Sequence, residues 1–205
     1  MTEHGADGAA RDAGARPSRI GSTALVVAAL ATGVAITSQA PDTDARQRPF
    51  VRAGVMGESV DGRTFQGSVV AVRGARRIAR SGKTRDTGGV WVIVRARAVA
   101  RDKPTSIDHA SVRDARGRTF LATTRINQPL VAGGYVMQPG ISVEGDIVFE
   151  VPHASAARLT LRLADSSDVR MDAAIEVPIT VDRATVDRWL AEPSALPVDD
   201  ARVAE

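Results

Sequence analysis

From Ile20 to Pro41 the chain runs through 22 consecutive residues without a charge, and this stretch constrains its fate more than any other feature. Its centre, Ala24-Leu-Val-Val-Ala-Ala-Leu-Ala-Thr-Gly-Val-Ala-Ile36, is apolar all round a helix. About 20 apolar residues at a rise of ~1.5 Å cross a hydrocarbon layer of roughly 30 Å. A helix buried in a soluble core keeps a polar stripe, and this one has none. Residues 19–40 therefore read as a transmembrane helix. Arg11, Arg16 and Arg19 form a basic flank, and Ser38-Gln39-Ala40 has the small-x-small form of a cleavage site. Against cleavage, Pro41 would follow the cut directly, and the run is longer than a usual signal core. A retained signal anchor is the expectation, with release after Ala40 as the alternative. Arginines flank both sides of the span, so charge does not orient it. The short tail and large C-terminal part suggest N-in, C-out. Ala24/Ala28 and Ala29/Gly33 repeat small residues at four-residue spacing, a candidate packing face for a second helix, although an alanine-rich run also produces such spacings by chance.

Composition removes whole classes of chemistry. With no cysteine, disulfides, zinc–thiolate sites, iron–sulfur ligation and thiol catalysis are excluded. The histidines are His4, His109 and His153, little material for metal or acid–base work. Aromatics at 3% are too few to stack bases, so nucleic acid is not an expected partner. The net charge of +3 hides a split. Residues 41–103 carry fourteen basic and six acidic side chains, for +8, whereas residues 104–205 carry ten and fifteen, for −5.

Residues 1–18 have no periodicity and read as a disordered tail, and residues 41–57 as a tether. Beyond it the hydrophobic period becomes two. Arg158–Leu163 places Leu159, Leu161 and Leu163 on one side, and Ile175–Val181 does the same with Ile175, Val177, Ile179 and Val181. Pro178 points the latter strand toward an edge. Gly89–Val99 is apolar on both faces and then alternates, as a central strand does when its far end meets solvent. Thr64–Arg73, Ser106–Arg113, Arg118–Thr124 and Gly145–Val151 are further candidates. Asp114-Ala-Arg-Gly117, Gly133-Gly134 and Pro139-Gly140 supply the turns. Strands this short at such spacing predict an antiparallel β-sandwich over residues 58–190. A short helix capped by Asp182 closes it through Val186, Trp189 and Leu190. Residues 191–205 read as a disordered acidic tail.

Met137-Gln-Pro-Gly-Ile-Ser-Val-Glu-Gly-Asp-Ile-Val-Phe-Glu-Val-Pro152 resembles the Pro-Gly … Gly-hydrophobic-hydrophobic-Phe-acid-hydrophobic-Pro stretch of a bacterial family of immunoglobulin-like domains of unknown function. That family is similar in fold to secreted mycobacterial immunogenic β-sandwich proteins. The resemblance covers roughly residues 60–182. It implies an immunoglobulin-like, extracytoplasmic domain behind a signal or single anchor, and no enzyme activity. Members are often lipoproteins, which a chain without cysteine cannot be.

Four groups invite a chemical reading. Ser81-Gly-Lys-Thr84 looks like the end of a phosphate-binding loop, but the upstream glycine that loop needs is Arg77. Asp108-His109 with Ser106 or Ser111 suggests a hydrolase, yet neighbours on a strand face opposite ways. Asp42 with Asp44 lacks the further oxygens of a calcium site, and Glu144 with Asp146 fits a solvated strand start. The basic run Arg73, Arg76, Arg77, Arg80, Lys83, Arg85 is the most distinctive polar feature. It reads as a candidate contact for anionic lipid, wall polymer or an acidic protein face, or else as a solvated loop. The expected protein is thus a single-pass membrane protein presenting a non-catalytic immunoglobulin-like β-sandwich as an interaction module or accessory subunit. No catalytic residue, metal or cofactor is assigned, and a small-molecule ligand is left open.

Overall fold

The computed structural model describes residues 50–131, 134–167 and 173–204. The chain divides at Arg46/Gln47, and every described residue belongs to the unit that starts at Gln47. The expected span at 19–40 lies outside the described residues, and so does its expected packing face of Ala24, Ala28, Ala29 and Gly33. The tail 1–18 and the acidic pair Asp42 and Asp44 lie outside them as well. Among the described residues no helix is long and apolar enough to cross a membrane.

Two sheets stack as a sandwich. One contains, in order, β1 (Phe50–Ala53), β9 (Ala173–Thr180), β8 (Arg158–Ala164), β5 (His109–Asp114) and β6 (Thr119–Leu121). The other runs β10 (Leu196–Pro197), β3 (Phe65–Arg80), β4 (Lys83–Ala100), β7 (Val143–Val151) and β11 (Arg202–Val203), with β2 (Val60–Asp61) on β3. Pairing is antiparallel except for two short additions: β1 joins β9 and β10 joins β3 in parallel. β1 takes its place in a sheet, so the expected tether already belongs to the sandwich from Phe50 onward.

The period-two pattern explains the core. Leu159, Leu161 and Leu163 of β8 and Ile175, Val177 and Ile179 of β9 are all buried. They face Val90, Val92 and Val94 of β4 and Ile147 and Phe149 of β7 in one apolar cluster. Pro178 is exposed, and β1 stops short of it, covering β9 only from Ala173 to Glu176. Helix α1 (Arg183–Ala191) begins at Asp182, whose side chain accepts the Thr185 N–H at 2.9 Å. It seats Val186, Trp189 and Leu190 against the core, and Trp189 lies where a Cβ on Gly74 would stand.

The largest departure from expectation is the β3–β4 hairpin. Thr64–Arg73 and Gly89–Val99 are parts of strands of 16 and 18 residues, joined by Ser81 and Gly82 with φ of 48° and 71°. Two successive positive φ values make the tight turn that matches the twist of a hairpin. The expected loop between them is strand, so the Ser81–Thr84 motif is a hairpin tip. Register shifts near Val70 and Arg76 let the ladder bend. At the second, Thr87 stabilises the bulge by accepting the Gly89 N–H at 2.9 Å and donating to Glu150 at 2.6 Å.

Residues 191–205 also differ from the expected acidic tail. They carry β10 and β11, which pair with the opposite edges of the same sheet. Leu196 and Val198, two apart, supply the apolar anchor that a solvated tail lacks.

Candidate functional site: the outward face of the six-stranded sheet

The face of β3, β4 and β7 that points away from the sandwich interior is built of matched rungs. Cross-strand neighbours on β4 and β7 are Trp91/Glu150, Ile93/Val148, Arg95/Asp146 and Arg97/Glu144. Opposite charges directly across a ladder stabilise it, as do apolar pairs. Trp91, Ile93 and Val148 are fully buried, although they lie outside the main core. Ile78, from the hairpin beyond its second bulge, lies on them, and Val198 completes the cover. Trp91 donates its indole N–H to the Arg85 carbonyl at 3.1 Å, and the Arg125 guanidinium sits 5.1 Å above its ring.

Asp146 is the electrostatic centre. Its side chain has no exposed surface. It accepts from Arg73 at 2.5 Å, from Arg95 Nε at 3.0 Å and from the Asp199 backbone N–H at 2.9 Å. A buried carboxylate is tolerated when cations and N–H donors replace its water. In turn, Asp146 raises the Arg95 pKa above its ordinary value, against the opposing effect of burial, with Asp199 assisting. Glu144 pairs with Arg97 at 2.8 Å. The Glu144–Asp146 pair is therefore a cation-filled cluster within a covered sheet, which corrects its reading as a solvated strand start. Among the described residues no group of three or more His, Asp or Glu side chains could hold a metal ion.

The six basic residues of the run separate into two sets. Arg73 is held by Asp146, Arg77 forms a two-pronged pair with Asp86 at 2.6 and 3.0 Å, and Arg80 pairs with Asp200. Arg80 also donates to the backbone carbonyls of Val198 and Asp199. These three are paired with carboxylates of the same chain. Arg76 and Lys83 are exposed and touch no carboxylate within ion-pair distance among the described residues, while Arg85 donates to the Thr84 carbonyl at 3.1 Å. Lys83 and Arg85 thus sit beside the hairpin tip and Arg76 at the second bulge. Although the run follows the tether in sequence, it belongs to the other sheet from the one that receives Phe50–Ala53.

The hydrolase constellation does not assemble. Ser106 donates to Asp108 at 2.7 Å, whereas His109 contacts Ser111 at 3.0 Å, so the carboxylate and the imidazole belong to separate pairs. Burial, and then the nearby Arg162, lower the His109 pKa. His153 pairs with Asp187 of α1 at 2.7 Å on the surface.

Reading the sequence missed the strap formed by residues 196–203. Its one signal was Leu196-Pro-Val-Asp-Asp200, where two apolar residues two apart precede two acids.

A two-sheet sandwich whose outward face is an arginine–carboxylate lattice under its own C-terminal segment places the chain among β-sandwich proteins. No protein-family profile matches the chain, and no curated protein matches it. A solved structure, an uncharacterized β-sandwich protein from Clostridium difficile 630, is similar at 10% sequence identity and a TM-score of 0.43, covering 65% of this chain and 97% of that one.

Proposed function

We propose that the chain is a single-pass membrane protein that presents an immunoglobulin-like β-sandwich outside the cytoplasmic membrane. There it serves as a non-catalytic interaction module or accessory subunit of a membrane or envelope assembly. The observation that carries this reading is the division of the basic run. Half of it is paired with carboxylates, while Lys83 and Arg85 beside the hairpin tip and Arg76 at the second bulge form no ion pair among the described residues. Cations without an ion-pair partner along the distal half of one hairpin favour an acidic partner surface or anionic headgroups. The uncharged run from Ile20 to Pro41 supports the anchor, its small residues Ala24, Ala28, Ala29 and Gly33 would suit a second helix there, and the Met137–Pro152 stretch supports the immunoglobulin-like assignment. The alternative is a secreted β-sandwich binding protein released after Ala40, favoured by the small-x-small pattern Ser38-Gln-Ala40.

Absence of cysteine makes a direct test available. Ala115→Cys at the exposed β5–β6 turn introduces a single thiol. Intact cells treated with a membrane-impermeant maleimide are expected to label this variant in the membrane fraction. Labelling only after lysis refutes the extracytoplasmic placement, and recovery solely in the medium as a chain beginning at Pro41 selects the alternative.

A further inference from the structure

We propose that the channel between the β3–β4 hairpin and the outward face of the six-stranded sheet is a recognition site for an extended partner segment of the pattern apolar–x–apolar–acid–acid. Residues 196–200 occupy it as a built-in stand-in. The proposal deepens the interaction-module reading and rests on it. Every contact made by Leu196-Pro-Val-Asp-Asp200 is one that a peptide from another protein could make. The backbone joins β3 in parallel, with Leu196 beside Ile78 and Pro197 beside Ala79, and Val198 N–H donates to the Ala79 carbonyl at 3.0 Å. Val198 enters the hollow of Ile78, Trp91, Ile93 and Val148. Asp199 and Asp200 reach Arg95 and Arg80. Main-chain pairing combined with pockets for particular side chains is how strand addition combines affinity with selectivity.

Two features define the occupant. The channel presents acceptors as well as cations: the Ala79 carbonyl and the buried Asp146 carboxylate both receive backbone N–H groups from the strap. A polyphosphate or lipid headgroup could meet the arginines but has no amide to offer those oxygens. The occupant is therefore a polypeptide, and Arg80 and Arg95 require it to be acidic. The strap's hold is mostly polar and superficial: β10 spans two residues, Val198 alone among residues 196–200 is buried, and the Asp200 side chain is 77% exposed, while Arg80 and Arg95 grip the segment and β11 pins its far end to β7. Its advantage is covalent attachment, which gives a high effective concentration that a well-matched partner at sufficient level overcomes.

The test uses the full-length chain in detergent and a fluorescent peptide of residues 194–204 as probe. The channel is vacated in two ways: by ending the chain at Pro193, and by the triple change Val198→Ser, Asp199→Asn, Asp200→Asn, which keeps every backbone atom. Each vacated form should bind the probe saturably and at least about ten-fold tighter than wild type, the scale of a lost charged contact. A probe bearing the same three changes should lose that gain. In wild type, excess probe should speed amide exchange at 196–200. The proposal is overturned if the triple variant, with unchanged circular dichroism, gains no affinity, or if wild-type exchange at 196–200 is indifferent to the probe. Doubling of mass on mixing vacated and wild-type chains would assign the channel to a second copy and overturn the partner reading. None of these outcomes bears on the Ala115→Cys labelling, so the two readings fail separately.

Discussion

Asp114 governs the β5–β6 turn by accepting four hydrogen bonds at 2.9 Å, from the backbone N–H groups of Arg116 and Arg118, from Arg118 Nε and from the Ser155 hydroxyl. Burial pushes its carboxyl up, but these donors outweigh burial and hold the pKa at about 2. That lies below the ~3.9 of an unfolded aspartate, so its stabilisation is complete above about pH 4 and fades as pH falls toward about 2. Urea midpoints across that range should drop more steeply for wild type than for Asp114→Asn, which is already weaker at neutral pH. Parallel curves would disprove the role. At Gly89 a Cβ would stand 2.3 Å from the Val151 carbonyl oxygen, whereas at Gly88 nothing lies within 4 Å. Gly89→Ala should cost about 1–3 kcal/mol by crowding the backbone, and Gly88→Ala less than about 0.5 kcal/mol, read by denaturant unfolding. At this scale the legible residues were those whose partners are close in sequence. The Asp182 cap and the left-handed Gly117 at φ 81° could be read directly. Asp146 could not, because Arg95 and Arg73 lie 51 and 73 residues away.

Among elements, β8, β9 and α1 were plain because each buries one face and shows its natural period. The hairpin hid for the opposite reason. Its distal half turns Ile78 onto its own sheet, replaces alternation with a glycine-containing bulge, and closes on Ser-Gly at a point where arginines suggest solvent. β10 and β11, at two residues each, are too short to show a period at all. Their importance shows in packing. Val198→Ala removes two methyl groups from the hollow over Trp91 and should cost about 1–2 kcal/mol. Amide exchange should then rise first at 196–203, while the β4 and β7 core stays protected. Uniform acceleration throughout the sandwich would show that the strap and the sheet open as one.

Across the whole molecule, the split of charge between the two halves of the sequence resolves into contacts. Arg73, Arg80, Arg95 and Arg97 from the basic half meet Asp146, Asp200, Asp199 and Glu144 from the acidic half. The sum of +3 concealed this because net charge carries no information about pairing. The cations without an ion pair offer a contact separate from the channel. Replacing Arg76, Lys83 and Arg85 together with Ser should leave the unfolding midpoint unchanged while reducing capture by anionic vesicles or by crosslinked partners from native membranes. Undiminished capture in both assays would remove the hairpin tip from the interaction surface. The strap also imposes an order in time. The six-stranded sheet receives its first long strand early in synthesis and its closing segment late, Arg80 and Val198 standing 118 positions apart. All of β5, β6, β8 and β9 are made in the interval. Contacts of such long range are slow to form. Until residues 196–203 arrive, Trp91 and Ile93 have an incomplete cover and both outer edges of the sheet lack their last strands. A chain that ends before Leu196 should therefore expose Trp91 and Ile93 more than the finished fold does, read by dye binding or by quenching of the Trp91 fluorescence.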